Sequence, residues 1–268
     1  TLIEEDRRIS EEMSRQGKRI FTFEEAAEAY GSEGRSLRDL LSTLVNRRWL
    51  ERIEKGKYMI LPFEAGSEGE WTEHEFIIAS YLIRPYYVGF RSALNYYGYT
   101  EQTTRTVFVA STRRKLKPML QVSGVTYRFV LIAERRLFGV TEVILSGYPV
   151  NISEKEKTIV DCLGRLEYCG GIAEVAKALS YAREEVDYAR MAKYAQRNGN
   201  KAASQRLGYI LETLDLGTPE AVRLLRQSIS RSYAPLDTLA EPAGRHVERW
   251  KVVVNIPDSE LLQWKAHG

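Results

Sequence analysis

Cysteine is scarce in this chain of 268 residues: Cys162 and Cys169 are the whole complement. Two thiols at that spacing build neither a disulfide framework nor a CxxC pair. Histidine is nearly as rare. His74, His246 and His267 lie far apart with no HxH or HxxxH spacing, so neither a metal centre nor a Ser-His-Asp relay is expected. The chain has no GxGxxG and no Gly-rich loop ending in Lys-Ser/Thr, and no cofactor is expected. Long apolar runs are missing too. Even IIASYLI (Ile77 to Ile83) falls well short of the roughly 20 residues that a spanning helix needs. The opening TLIEEDRRIS lacks an apolar signal core, so the expectation is a cytoplasmic protein away from the membrane.

Two classes of nucleic-acid enzyme fail on obligatory residues. Restriction-type nucleases place an acidic residue two positions before a lysine, and no lysine here has one. Nucleotidyltransferases need a Gly-Ser turn followed by paired carboxylates that hold two metal ions. Gly31-Ser32 leads only to Asp39-Leu40-Leu41, and Asp258-Ser259-Glu260 has no Gly-Ser at a workable distance upstream. The chain reads as a non-enzyme.

What is present is an ordinary globular composition, 44% hydrophobic and 28% charged, with charge unevenly placed. Residues 1–33 hold 5 Lys/Arg against 9 Asp/Glu, whereas residues 34–58 hold 7 against 3. A local basic patch of this kind steers binding more than the net charge of +3 does.

The basic patch falls on a recognisable order of elements. Leu2 to Gln16 favours a helix, and Thr22 with Glu25 has the spacing of a capping box that opens the next helix, which stops at Gly31. After a short turn, Leu37, Leu40, Leu41, Leu44 and Val45 follow the i, i+3, i+4, i+7, i+8 pattern of one buried helical face. WLERI and KYMILP then flank Glu54-Lys55-Gly56 as a hairpin. Helix, helix, turn, helix and hairpin is the order of a winged helix-turn-helix, whose recognition helix lies in the DNA major groove. Arg35, Ser36, Arg38, Ser42 and Arg47 fall on its polar side, and arginine and serine are suited to base edges. Arg52, Lys55 and Lys57 place cations in the wing, where phosphates would receive them. Charged residues opposite a leucine stripe are equally what a solvated helix face shows.

The expected fold class is α+β: a winged helix-turn-helix over 1–62, a polar Gly-bearing linker over 63–70, and a larger mixed α/β domain over 71–268 with a helical C-terminal part. Few contacts are expected to cross that linker. In the larger domain, Thr72 with Glu75 and Ser153 with Glu156 have capping-box spacing. RTVFVAS, VTYRFVLI, TEVILS and WKVVVNI read as strands. Tyr86, Tyr87, Tyr96, Tyr97 and Tyr99 cluster in sequence and read as core. Two further cationic groups stand out. Arg113, Arg114, Lys115 and Lys117 follow a strand, and Arg190, Lys193 and Arg197 share a helical face in a stretch without acidic residues that runs on through Lys201 and Arg206. Each is either a solvated face or a surface for a phosphate backbone or an acidic protein.

Three stretches in order resemble the AbiEi family, the antitoxins of type IV toxin–antitoxin systems. They are LVNRRWLERIEKGKYMILP; FRSALNYYGYTEQ, similar to the family's Ser-Ala-Leu segment; and VNISEKEKTIVDCL, similar to its Glu-Arg-Thr segment with a Leu-Leu-Asp core. Here the middle cation is Lys157, and Ile159 and Val160 replace the leucines. The likeness runs over roughly residues 4 to 180. It implies a DNA-binding antitoxin that represses its own operon and counteracts a nucleotidyltransferase-like toxin encoded next door. It assigns the winged helix to operator DNA and the second domain to neutralisation, with Arg113, Arg114, Lys115, Arg190, Lys193 and Arg197 as a toxin or secondary DNA surface. Direct contact with the toxin stays open. The competing reading is a ligand-sensing winged-helix transcription factor with no toxin.

Overall fold

A threonine and a glutamate set the first turn of the N-terminal unit. In the computed structural model, which describes residues 2–31, 33–61, 74–102 and 104–267, helix α1 (Leu2–Arg15) leads into strand β1 (Ile20–Thr22). Thr22 caps helix α2 (Phe23–Tyr30). Its hydroxyl accepts from the Glu25 amide while the Glu25 carboxylate accepts from the Thr22 amide, the reciprocal box expected there. Gly31 stops the helix at φ 78°, a left-handed conformation that costs glycine nothing. Helix α3 (Arg35–Asn46) buries Leu37, Leu41 and Leu44 against Ile9, Met13, Phe21, Ala26 and Ala27. The leucine spacing alone puts them on one face.

Strands β2 (Leu50–Glu54) and β3 (Lys57–Ile60) form the expected hairpin, and β1 adds on the far side of β3, giving the antiparallel order β1-β3-β2. This small sheet is apolar on both faces. Phe21, Leu50 and Tyr58 pack beneath α3, whereas Ile20, Ile53 and Met59 point the other way, into the core of the second unit. A strand's side chains alternate between faces, so a sheet with apolar residues on both must be covered on both. The two units therefore share an apolar interface, built on Ile20, Ile53 and Met59. Polar links reinforce it: the Lys57 ammonium donates to the Tyr81 carbonyl at 2.7 Å, Tyr148 Oη donates to the Gly17 carbonyl at 2.8 Å, and Glu51 accepts from the Ser123 amide and hydroxyl. The linker expected over 63–70 lies outside the described residues.

Helix α4 (Glu75–Leu82) starts two residues later than a Thr72 cap would place it. His74 is the N-cap, its Nδ1 accepting from the Phe76 amide, and Thr72 lies outside the described residues. Strand β4 (Tyr87–Val88), helix α5 (Phe90–Tyr96) and strands β5 (Thr106–Ser111), β6 (Met119–Val122), β7 (Val125–Leu131), β8 (Val140–Leu145) and β9 (Tyr148–Ser153) follow. They form a six-stranded mixed sheet in the order β6-β7-β5-β4-β9-β8, parallel at β5/β7 and β4/β9. One face carries α4 and the hairpin of the N-terminal unit. The other carries α5 and the helical layer: α6 (Lys155–Gly164), α7 (Ile172–Tyr181), α8 (Tyr188–Asn198), α9 (Lys201–Thr213) and α10 (Pro219–Ser228). Ser153 does not cap α6. Its hydroxyl pairs with Thr158 Oγ1 at 2.6 Å, and Glu154 is the N-cap without a side-chain bond. The chain ends in short strands β10 (Ala234–Pro235), β11 (Arg245–Val247) and β12 (Val252–Val254), the last within the expected WKVVVNI, and helix α11 (Asp258–Leu261). The molecule is mixed α+β.

Candidate nucleic-acid interface

Helix α3 turns Arg35, Ser36, Arg38 and Ser42 outward because its leucines turn inward. Arg35, Arg38 and Ser42 are three and four residues apart and share one stripe. The Arg38 guanidinium lies 5.6 Å over the Phe23 ring, which holds the long side chain against the start of α2. Between this stripe and the hairpin runs a groove of about 540 Å³ lined by Arg38, Ser42, Arg52, Lys55, Phe23 and Tyr58. The fold thus gathers four of the expected site residues on one concave surface. Arg35 and Ser36 stand a turn earlier on α3, and Arg47 sits at the helix's other end, at its C-cap.

Lys57 is placed differently from its expected role. Its ammonium faces the second unit, bonded to the Tyr81 carbonyl and paired with Glu54 at 3.4 Å, so it joins the two units. The hairpin's outward cations are Arg52 and Lys55. These two also line a second groove, of about 660 Å³, on the hairpin's other side, together with Arg114, Lys115 and Lys117 from the β5–β6 loop. The hairpin is a cationic ridge between two basic grooves. Lys115 is partly committed, paired with Glu54 and lying 5.3 Å over the Phe129 ring, whereas Arg113 and Arg114 are exposed.

Each of these cations on α8 has a partner within the protein. Arg190 donates to Glu156 at 2.6 Å, and Glu156 is only 1% exposed, so the arginine neutralises a buried carboxylate, a bond that raises the Arg190 pKa. Lys193 reaches Glu220 at 3.7 Å, and Arg197 stacks 4.2 Å over Phe138. Arg206 is buried, donating to the carbonyls of Leu163 and Pro235, and burial pulls its pKa down. Glu156 and Glu220 arrive from other helices, which is why the stretch looks free of acid in the sequence. The tyrosines behave as core: Tyr86, Tyr87 and Tyr99 are buried.

The charged centre that sequence reasoning missed is internal. Lys157, fully buried on α6, donates to Asp161 one turn on and to Tyr87 Oη at 3.1 Å. Asp161 also accepts from Tyr87 Oη at 2.7 Å and from Asn198 Nδ2 at 2.9 Å. Burial, and after it the charge of Asp161, pushes the Tyr87 pKa well up, so the phenol stays a donor. The signal was an i,i+4 Lys–Asp pair, which on most helices marks the surface. Among the described residues no three His, Cys, Asp or Glu come together as a metal site, and no helix is long and apolar enough to cross a membrane.

Residues 87–213, from β4 to the end of α9, match the family model described as the AbiEi antitoxin C-terminal domain. This stretch of the chain belongs to the AbiEi family. The AbiEi region holds two of the three stretches that carried the resemblance, Ser92-Ala93-Leu94 with its flanks and the α6 segment with Lys157 and Asp161. The N-terminal unit lies outside the match. A crystal structure of the RV2827C protein from Mycobacterium tuberculosis is similar at 16% identity and a TM-score of 0.70, over 98% of this chain and 95% of that one. At that identity the likeness is one of fold, and it extends beyond the AbiEi region at both ends. No curated protein matches the chain.

Proposed function

We propose that the chain is a DNA-binding antitoxin of a type IV toxin–antitoxin system, acting without catalysis. Its N-terminal unit, residues 1–62, is a winged helix-turn-helix that holds operator DNA and represses the chain's own operon. The second domain, 71–268, counteracts a nucleotidyltransferase-like toxin. The AbiEi match supports the antitoxin half of this reading. The observation that carries the DNA half is the groove shared by Arg38 and Ser42 of α3 with Arg52 and Lys55 of the hairpin. It puts base-reading groups and phosphate-binding cations side by side.

The two wing lysines separate this reading from a merely solvated surface. Lys55→Ala should weaken binding to specific and scrambled duplexes alike and flatten the salt dependence by about 0.9 for each phosphate no longer neutralised. Lys57→Ala should leave that slope unchanged, because its ammonium is held by the Tyr81 carbonyl. Fluorescence anisotropy across a salt series checks both. An unchanged slope for Lys55→Ala would remove the wing from the interface.

A ligand-sensing regulator is the second reading, favoured by one feature. A cavity of about 700 Å³ opens between α1 and the second domain, lined by Ser10, Arg19, Trp49, Ile60 and Tyr148. Its size suits a small molecule. Co-expression with the neighbouring gene product decides between them: protection from toxicity supports the antitoxin, and its absence supports the sensor.

A further inference from the structure

The β5–β6 loop, residues 112–118, reads Thr-Arg-Arg-Lys-Leu-Lys-Pro and contains no acidic residue. Its Leu116 is fully exposed. Single exposed leucines are common and need no explanation. This one differs in its setting. Arg113, Arg114, Lys115 and Lys117 surround it in sequence, and it lines the groove it shares with Arg52 and Lys55 of the hairpin. The loop is also held at several points. The Arg113 amide donates to Ser111 Oγ at 3.1 Å, the Pro118 carbonyl accepts from the Phe129 amide at 2.8 Å, and Lys115 is paired with Glu54 of β2. The leucine is thus carried by a braced loop at a fixed place beside the wing.

The order of features across this face matches a duplex. Helix α3 comes first with its base-reading stripe, then the cationic ridge of Arg52 and Lys55, then the loop with an apolar tip among cations. B-DNA presents a major groove, a phosphate ridge and a narrower minor groove in the same succession. Minor-groove proteins place apolar side chains, leucine among them, between base steps while flanking cations hold the phosphates. We propose that Leu116 enters the minor groove of the duplex that α3 reads, as an apolar wedge, with Arg114 and Lys117 on the bordering phosphates. This rests on the DNA-binding reading above and adds a second reading element contributed by the AbiEi region. A rigid loop loses little conformational freedom on insertion, which makes the contact efficient.

The test uses the full-length protein and a promoter duplex carrying 2-aminopurine at successive positions, whose fluorescence rises where a base unstacks. Wild-type protein should raise the signal at one step next to the α3 site. Leu116→Ala should abolish that rise and weaken affinity about tenfold, the effect of removing one buried leucine, with an unchanged salt slope. Leu116→Phe should keep the signal. Lys117→Ala should keep it too while flattening the slope by about 0.9. If wild type binds the duplex and Leu116→Ala matches it in affinity and fluorescence, the wedge is wrong and the DNA reading stands. If Leu116→Ala leaves DNA binding intact but loses toxin protection, the loop is a protein contact and the proposal is likewise overturned. If wild type binds no duplex, the DNA reading falls and takes the wedge with it.

Discussion

Replacing Lys157 with Met is expected to destabilise the protein by about 3–5 kcal/mol, the cost of leaving a buried charge without its partner. The ammonium is fully buried and the Asp161 side chain is only 6% exposed, so water cannot take over when the lysine is removed. Methionine reproduces the length of the stem and keeps contact with the rings of Tyr87 and Phe138, which lie 5.1 and 4.9 Å from the ammonium. The volume is conserved and the loss is electrostatic. Tyr87 and Asn198 still donate to Asp161, which tempers the cost without removing it. The double variant Lys157→Met/Asp161→Asn should recover much of the loss, since it removes both charges and keeps an acceptor for Tyr87 and Asn198. Urea unfolding of the two variants measures this directly. A single variant within about 1 kcal/mol of wild type would mean that the pair is solvated in a way the fold does not indicate.

Removing the N-terminal unit should be at least as damaging. A fragment of residues 71–268 has enough chain to bury a core, and composition alone argues that it folds independently. The packing argues otherwise. Ile20, Ile53 and Met59 belong to the same core as Phe76, Ile77, Val107 and Tyr127, and the fragment leaves that face bare. At about 1.5–3 kcal/mol for each buried aliphatic side chain withdrawn, three residues amount to roughly 5 kcal/mol or more. The fragment is expected to melt well below the full chain and to associate through the uncovered face. Circular dichroism and size-exclusion chromatography check both. A monomeric fragment with an undiminished melting temperature would show that the hairpin adds little, and that the two units are independent. Protection assays with this fragment thus report its stability as much as its action on a toxin. Point variants of the intact chain are the sounder probe.

These two results turn on features that the sequence displays unequally. The α3 leucines were legible because five apolar positions repeat a helical period, and Thr22 with Glu25 was legible because the box is local. The same spacing at Ser153 marked no cap, since another partner, Thr158, holds the serine hydroxyl. Strands β1 and β4 are three and two residues long, too short for any alternation to register. The doubly covered hairpin did leave a trace: KYMI has apolar residues on consecutive positions, which a one-sided strand would not. Of the site, the stripe on α3 was readable because helical geometry fixes it from spacing alone. The inward turn of Lys57, the commitment of Arg190 to Glu156 and the burial of Lys157 depend on partners 24, 34 and 70 positions away in the chain. No window of sequence contains both members of such pairs.

The central claim, that α3 reads DNA, is tested by one titration of wild type and the Arg35→Ala/Arg38→Ala double variant. Each is added to the chain's own promoter duplex and to a scrambled duplex of equal length, at about 150 mM salt, where screening leaves close contacts in force. Each bidentate base contact provides about 1–3 kcal/mol of discrimination. The wild type should therefore prefer the promoter by at least about a hundredfold, on the order of two such contacts. The double variant should lose that preference while keeping its melting temperature and its residual affinity for the scrambled duplex. Equal binding of both duplexes by the wild type, or an undiminished preference in the double variant, would contradict the assignment of α3 as the reading element.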